Sequence, residues 1–280
     1  MRPRSSCLLV LMALASVTYA MPAASEQKPL KIIKTLPEYI IPCTVDDPDV
    51  NNCIKNTFNH LRKYLQRGIP ELNMDPLDPL RMDQLLMENG VGNVRVRALF
   101  NNMTVLGAGN YSVITVKSDL SRLRIDLGMR LPRISAMGHY EVSGQVLLFP
   151  VKSKGDFWAT FNDITAVISL YGRDVARSGE NFMQVDKLGV DFHLGGKSRF
   201  RIKDVVNGNT VIGEAMNHFL NENANEIIGE MKPAAGASIG KHFKSFLNQA
   251  FLQIPRRIWL RDPKMDDRSS DSTDDESSAN

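Results

Sequence analysis

Gly236-Ala237-Ser238-Ile239-Gly240 has the G-x-S-x-G spacing of a nucleophile elbow, in which a serine on a sharp strand-to-helix turn presents its hydroxyl beside an oxyanion hole. The chemistry such a serine could serve is acyl transfer, here as an esterase acting on lipids. Ser238, however, follows Pro233 inside a stretch of helical period, with no buried strand before it. The pattern therefore predicts a small residue on a crowded helix face, where a neighbouring element or ligand comes close. Gly196-Lys197-Ser198 ends like a phosphate loop, but Asp191 stands where that loop needs its first glycine. His60, His139, His193, His218 and His242 include no HExxH pair and no carboxylate at a repeated ligand interval. The reading is of a protein that is not an enzyme, with no cofactor and no metal.

The chemistry of the three cysteines depends on compartment. Residues 1–20 begin with Arg2 and Arg4, continue through an apolar run from Cys7 to Ala15 and end on Thr18 and Ala20, the layout of a secretory signal peptide. The run is shorter than the roughly 18 apolar residues of a membrane-spanning helix, and no later stretch reaches that length. Cleavage would remove Cys7 and leave Cys43 and Cys53 to pair in an oxidising compartment. A zinc site would find only His60 nearby, and two free thiols suit a secreted protein less well. Asn102-Met103-Thr104 and Asn110-Tyr111-Ser112 are glycosylation sequons, as befits a secreted, extracellular chain.

These residues must be held by a fold, and the composition bounds it. With 43% hydrophobic and 23% charged residues, the 280-residue chain is neither collagenous, disordered throughout nor a small disulfide scaffold. Its formal charge of +3 arises from cations scattered among acids, which argues against a nucleic-acid partner. Ile54, Phe58, Leu61 and Leu65 share one face of a helix over residues 52–66, with Asn52 as its cap and Gly68 as its stop. The proline-rich stretch from Gly68 to Leu80 is a connector. From Val94 to about Ile202 the period becomes two, in runs at residues 94–98, 111–117, 122–130, 140–149, 157–170 and 182–194. Gly107-Ala108-Gly109 and Gly195-Gly196 read as hairpin connections, so the middle of the chain is predicted to be an antiparallel meander.

Helical period returns from Ile212 to Ala250, which as one helix would span about 58 Å. Pro233 is expected to kink it or to begin a second helix. Residues 265–280 carry six acids and one base and read as a disordered acidic tail, leaving 21–264 as a single domain. A meander curled around one long helix encloses an elongated space. Leu123, Ile125, Leu127 and Met129 on the sheet, and Phe219, Ile227, Met231 and Phe243 on the helix, are the candidate lining of a hydrophobic tunnel.

Three ordered blocks carry a family resemblance. Gly68-Ile69-Pro70-Glu71-Leu72 through Pro76-Leu77-Asp78-Pro79-Leu80 resembles the G-I-P-E-L-x-x-x-P-L-D-P-L pattern of the takeout and insect juvenile hormone-binding proteins. Leu131-Pro132, Gly138-His139-Tyr140 and Gly144-Gln145-Val146-Leu147-Leu148 with Pro150 are similar to the central strand motif. Phe219-Leu220-Asn221-Glu222-Asn223, Lys232-Pro233 and Phe251-Leu252-Gln253-Ile254-Pro255 are similar to the terminal helix. The resemblance implies an α+β fold: a long C-terminal helix wrapped by a highly curved antiparallel β-sheet that encloses a hydrophobic tunnel, in the manner of tubular lipid-binding proteins. It also implies a Cys43–Cys53 disulfide, Tyr140 as a polar anchor, and a carrier of juvenile hormone, a terpenoid or a fatty-acid-like molecule. A receptor or carrier partner, with the protein presenting its ligand as a signal, is an alternative role. The sequence departs from the pattern at Ala224, where many members have Trp, and at Ser153, where a Gly is usual.

Overall fold

The computed structural model describes residues 31–146, 148–203 and 210–263, so the expected signal peptide and acidic tail lie outside the described residues. Two long strands organise the sheet. β5 (Arg124–Val146) and β6 (Phe149–Arg177) pair antiparallel from Arg124 opposite Tyr171 to Val146 opposite Phe149, a ribbon of about 75 Å at 3.3 Å per residue. The runs predicted at 122–130 and 140–149 are thus parts of one strand, which ends at Val146. Midway, Pro132 and Asp163 leave the ladder, and Asp163 takes a left-handed φ of 49°. The inward phase changes there, from Leu131 to Ile134 on β5 and from Ile164 to Phe161 on β6.

That change divides the sheet into two halves. In the first, β4 (Ser112–Asp119) pairs with β5, and β7 (Glu180–Leu194) pairs with β6 beyond Ile164. In the second, β2 (Leu80–Asn89) pairs with β3 (Val94–Leu106), β3 pairs with β5 beyond Ser135, and β8 (Arg199–Ile202) pairs with residues 157–160 of β6. The order is β2-β3-β5-β6-β7, with β4 and β8 off that path. Neither Gly107-Ala108-Gly109 nor Gly195-Gly196 therefore closes a hairpin. Each carries the chain from one half of the sheet to the other: β3 and β4 share β5, and β7 and β8 share β6. At Gly107 (φ 87°) a Cβ would stand 2.3 Å from the Arg133 carbonyl oxygen, so only glycine makes this crossing without displacement.

Among the described residues, strand pairing leaves four free edges, on β2, β4, β7 and β8, and each is met by a helix. Helix α1 (Val50–Arg67), whose N-cap position is Asp49, three residues before the Asn52 predicted, brings Asn59 to β4. Its carboxamide accepts from Val113 N (2.8 Å) and donates to Val113 O (3.0 Å). On α2 (Thr210–Glu222), Asn217 makes the same pair of bonds with Ile202, at 2.7 and 2.9 Å, and Asn221 with Phe200, at 2.9 and 2.7 Å, both on β8. On α3 (Ala224–Phe251), Asn248 does so with Val185 of β7, at 2.8 and 3.0 Å. Ser238 donates to Leu86 O on β2. A carboxamide holds donor and acceptor side by side as a peptide unit does, so it caps an edge residue as another strand would.

The C-terminal helical stretch breaks ten residues before the expected place. Asn223 separates α2 from α3, and its side chain donates to Phe219 O (2.8 Å), competing for a carbonyl one turn back. Pro233 lies inside α3 without ending it. It and Gly229, the residue whose carbonyl it cannot bond, are both exposed, so that carbonyl faces water. Beyond α3, α4 (Arg256–Trp259) leads into β9 (Leu260–Arg261), which pairs parallel with β1 (Cys43–Thr44). Cys43 and Cys53 form a disulfide that ties this bridge to α1. Closing its ten-residue separation stabilises the fold by about 2.7 kcal/mol in the chain-entropy account.

Two substitutions test the edge-capping scheme. Asn248→Ala strips both partners from Val185 on the β7 edge and should lower the unfolding free energy by about 2 kcal/mol in chemical denaturation. At Gly240 a Cβ would sit 2.5 Å from the Leu188 carbonyl oxygen. Gly240→Ala should therefore cost about 1–3 kcal/mol even though Ala is the better helix former.

Candidate ligand-binding interior

The interior lies between the concave face of the sheet and the two C-terminal helices. In the second half of the sheet, Phe100 of β3 pairs in register with Tyr140 of β5, and the Phe100 and Phe157 rings meet edge to face at 5.0 Å. Tyr140 is only 5% exposed and stands opposite Gly155, whose lack of a side chain leaves room beside the phenol. Its hydroxyl is 2.7 Å from Ser153 Oγ. The residue that departs from the family pattern is thus the tyrosine's own partner, and the two hydroxyls form a polar station on an apolar wall. Ala224, the other departure, is buried at the first residue of α3.

The remaining candidates do not form one contact group. Ile125 and Leu127 are buried in the main core, with Met129 and Phe243 partly buried against it. Leu123 precedes β5 in a left-handed conformation (φ 48°) and is buried in a second cluster with Leu170, Met183, Val185 and Leu188, which Phe243 also touches. Met231 is buried with Val94, Val96 and Val146 in a third cluster, where Phe219 and Ile227 are partly buried. The four helical candidates run from α2 to the later turns of α3, and the five sheet candidates lie on β5 or just before it. Two polar groups outside the candidate lining are buried as well. Gln253 is fully buried and donates to Leu72 O (2.8 Å) and Gln249 O (2.6 Å), and among the described residues neither its Oε1 nor the buried Nε1 of Trp259 has a hydrogen-bond partner. Each suits a polar atom of a bound molecule or a water.

The G-x-S-x-G motif takes its meaning from this packing. A Cβ at Gly236 would lie 2.4 Å from Val190 O, and one at Gly240 would lie 2.5 Å from Leu188 O, so both glycines face β7. Ser238, half a turn from each, faces β2 and donates a hydrogen bond to the Leu86 carbonyl. His242, one turn further on, makes no hydrogen bond to Ser238 among the described residues. The motif is a run of small residues that fits a helix between two sheet edges. Among the described residues there is also no cluster of three or more side chains suited to a metal, and no helix long and apolar enough to cross a membrane.

Depressions of the outer surface include two with defined linings among the described residues. One, of about 970 Å³, lies where the lead segment crosses the end of α1, between Ile33, Pro37, Tyr39, Tyr64 and Ile69. The other, of about 270 Å³, is centred on Gly128, Val167 and His193 of the convex face.

The family model described as haemolymph juvenile hormone binding protein matches residues 8–260. The chain belongs to that family. Its members are carriers of lipophilic ligands rather than enzymes. The chain is similar to the crystal structure of Takeout 1 from Epiphyas postvittana, with a TM-score of 0.66 and 20% identity over 78% of this chain and 98% of that one. It is 22% identical over 198 residues to the circadian clock-controlled protein daywake of Drosophila yakuba, covering 68% of this chain and 76% of the relative. The Drosophila melanogaster daywake is 21% identical over 226 residues, covering 76% and 84%. The takeout likeness confirms the α+β class and the curved, unclosed sheet with its C-terminal helix.

His242 provides a pH test of the α3 packing. Burial pushes its imidazole below the ordinary 6.5, with Asp83 pulling weakly the other way. The native state thus holds His242 neutral, while the unfolded chain takes up a proton at its ordinary pKa. Its contribution is present above pH 6.5 and is lost as pH falls from there towards the lower folded value. Denaturation midpoints followed downward from pH 7 should fall less steeply in His242→Gln than in the parent chain.

Proposed function

We propose that this protein is a secreted carrier that holds a linear lipophilic molecule, such as juvenile hormone, a terpenoid or a fatty acid, in a tunnel between its sheet and α3, without chemical change. One observation carries this reading. Phe100, Phe161, Phe200, Phe219 and Phe243 belong to the apolar interior yet each keeps part of its surface accessible. A close-packed core would have covered such rings, and their accessible surface supports a reading with open volume beside them. Burying an alkyl or terpenoid chain there contributes about 25 cal/mol per Å² of apolar surface, and orientation needs few polar contacts.

The Tyr140–Ser153 pair supplies one such contact for an epoxide, ester, carbonyl or carboxyl oxygen. Secretion is supported by the N-terminal layout and by the disulfide, which persists in oxidising compartments. Asn102 and Asn110 are both exposed, Asn102 where the β3 register shifts and Asn110 in the turn before β4, so glycans at either site would project into solvent.

Native mass spectrometry of the secreted protein, followed by solvent extraction, should recover a terpenoid, fatty acid or similar molecule. Phe243→Asp should weaken binding of a fluorescent fatty-acid probe by about tenfold or more, since a carboxylate is costly to desolvate. Tyr140→Phe should cost about fivefold for an oxygenated ligand and little for a plain hydrocarbon. An empty protein with no affinity for such probes would overturn the proposal.

A further inference from the structure

We infer that the ligand enters and leaves sideways, through the seam between α3 and β2, while α3 stays fixed to β7. The inference rests on the carrier reading and asks where the interior opens. α3 packs against both β7 and β2, so it is the wall that joins two sheet edges. The two joints are built very differently.

On the β7 side the contacts are close and numerous. Gly236 and Gly240 seat the helix backbone on the carbonyls of Val190 and Leu188. Asn248 makes both of its bonds to Val185, and Lys232 Nζ lies 2.8 Å from Asp191 Oδ1. Just beyond α3, Arg257 makes two bonds to Glu180, at 2.8 and 2.6 Å. Each of these would have to break or slide for α3 to leave β7.

Among the described residues, the β2 side offers far less. Ser238 donates to Leu86 O, and near the turn after β2, Asn93 Nδ2 reaches Glu226 Oε1 at 3.5 Å, the outer limit of a hydrogen bond. Glu230 rests its carboxylate against Gly92 in the same turn. Apart from the weak pull of Asp83 on His242, what the described residues add is apolar contact, in which Met87 belongs to the group around Met231, Ile227 and Ala234. Such contacts slide, and methionine is the most adaptable side chain for them. Parting this seam exposes the interior beside Ile227 and Phe219, which already keep accessible surface. The seam, rather than a rigid end of the tube, is where thermal motion opens a path at least cost.

Two cross-links with a shared cysteine test this. Lys241 on the exposed face of α3, Asp83 on β2 and Lys187 on β7 are all exposed. A bismaleimide joining Lys241→Cys to Asp83→Cys should slow both uptake and release of a fluorescent fatty-acid probe by about tenfold or more, as expected when exchange requires a conformational opening. The same reagent joining Lys241→Cys to Lys187→Cys should leave both rates nearly unchanged. Ser238→Ala, without any cross-link, should accelerate exchange by about fivefold, the effect of one hydrogen bond. Unchanged exchange in the β2-linked protein, or slowing only in the β7-linked one, would overturn the inference while leaving the carrier reading intact. Failure of the unlinked protein to bind the probe at equilibrium would overturn both.

Discussion

An unclosed sheet exposes backbone amides and carbonyls along every outer strand, and those groups must find partners or remain in water. Among the described residues, the sheet built on β5 and β6 has four such edges, two in each half. All four are met from the helical layer: Asn59 on β4, Asn217 and Asn221 on β8, Asn248 on β7 and Ser238 on β2. Unpaired edges invite association with other chains. Capping them with helix-borne side chains also fixes where the helices lie, so one requirement seals the sheet and wraps it.

That arrangement explains how an apolar interior coexists with a stable wall. The polar obligations of the backbone are discharged along the rims, where the helices touch the strands, and the concave face is left to Phe, Leu, Ile, Val and Met. Nothing in the rim contacts requires the centre to be filled. A frame held at its margins tolerates different linings, which accords with a TM-score of 0.66 to Takeout 1 at only 20% identity.

Much of the frame was legible because it follows hydrophobic period and local chemistry. Helix α1, the long strands and the helical C-terminus all appear as runs of period 3.6 or two, and the cysteine pair follows from compartment. β2 was not legible. Its inward residues change phase, from Leu80 and Met82 to Leu85 and Met87, where Asp83 drops out of the pairing with β3, and its Leu, Met, Gln and Glu are helix formers. The break at Asn223 was hidden because Pro233 is the stronger local signal, while an exposed proline on a long helix can be accommodated. The edge-capping asparagines were unreadable for another reason: their partners lie up to 63 positions away, and no local pattern distinguishes them from surface residues. For the interior, apolar identity is readable from the residues but their distribution is not, since three separate clusters share the same spacing.

The short parallel bridge between β1 and β9 joins Cys43 to Leu260 and Thr44 to Arg261, so the beginning and end of the folded chain meet beside the disulfide. In mechanical terms the domain is a noose with its knot at one pole. A pull on the two termini loads that knot before it reaches the sheet, and the walls of the interior are shielded from tension. Force that reaches the described chain through its lead segment or through β9 therefore arrives at the same pole.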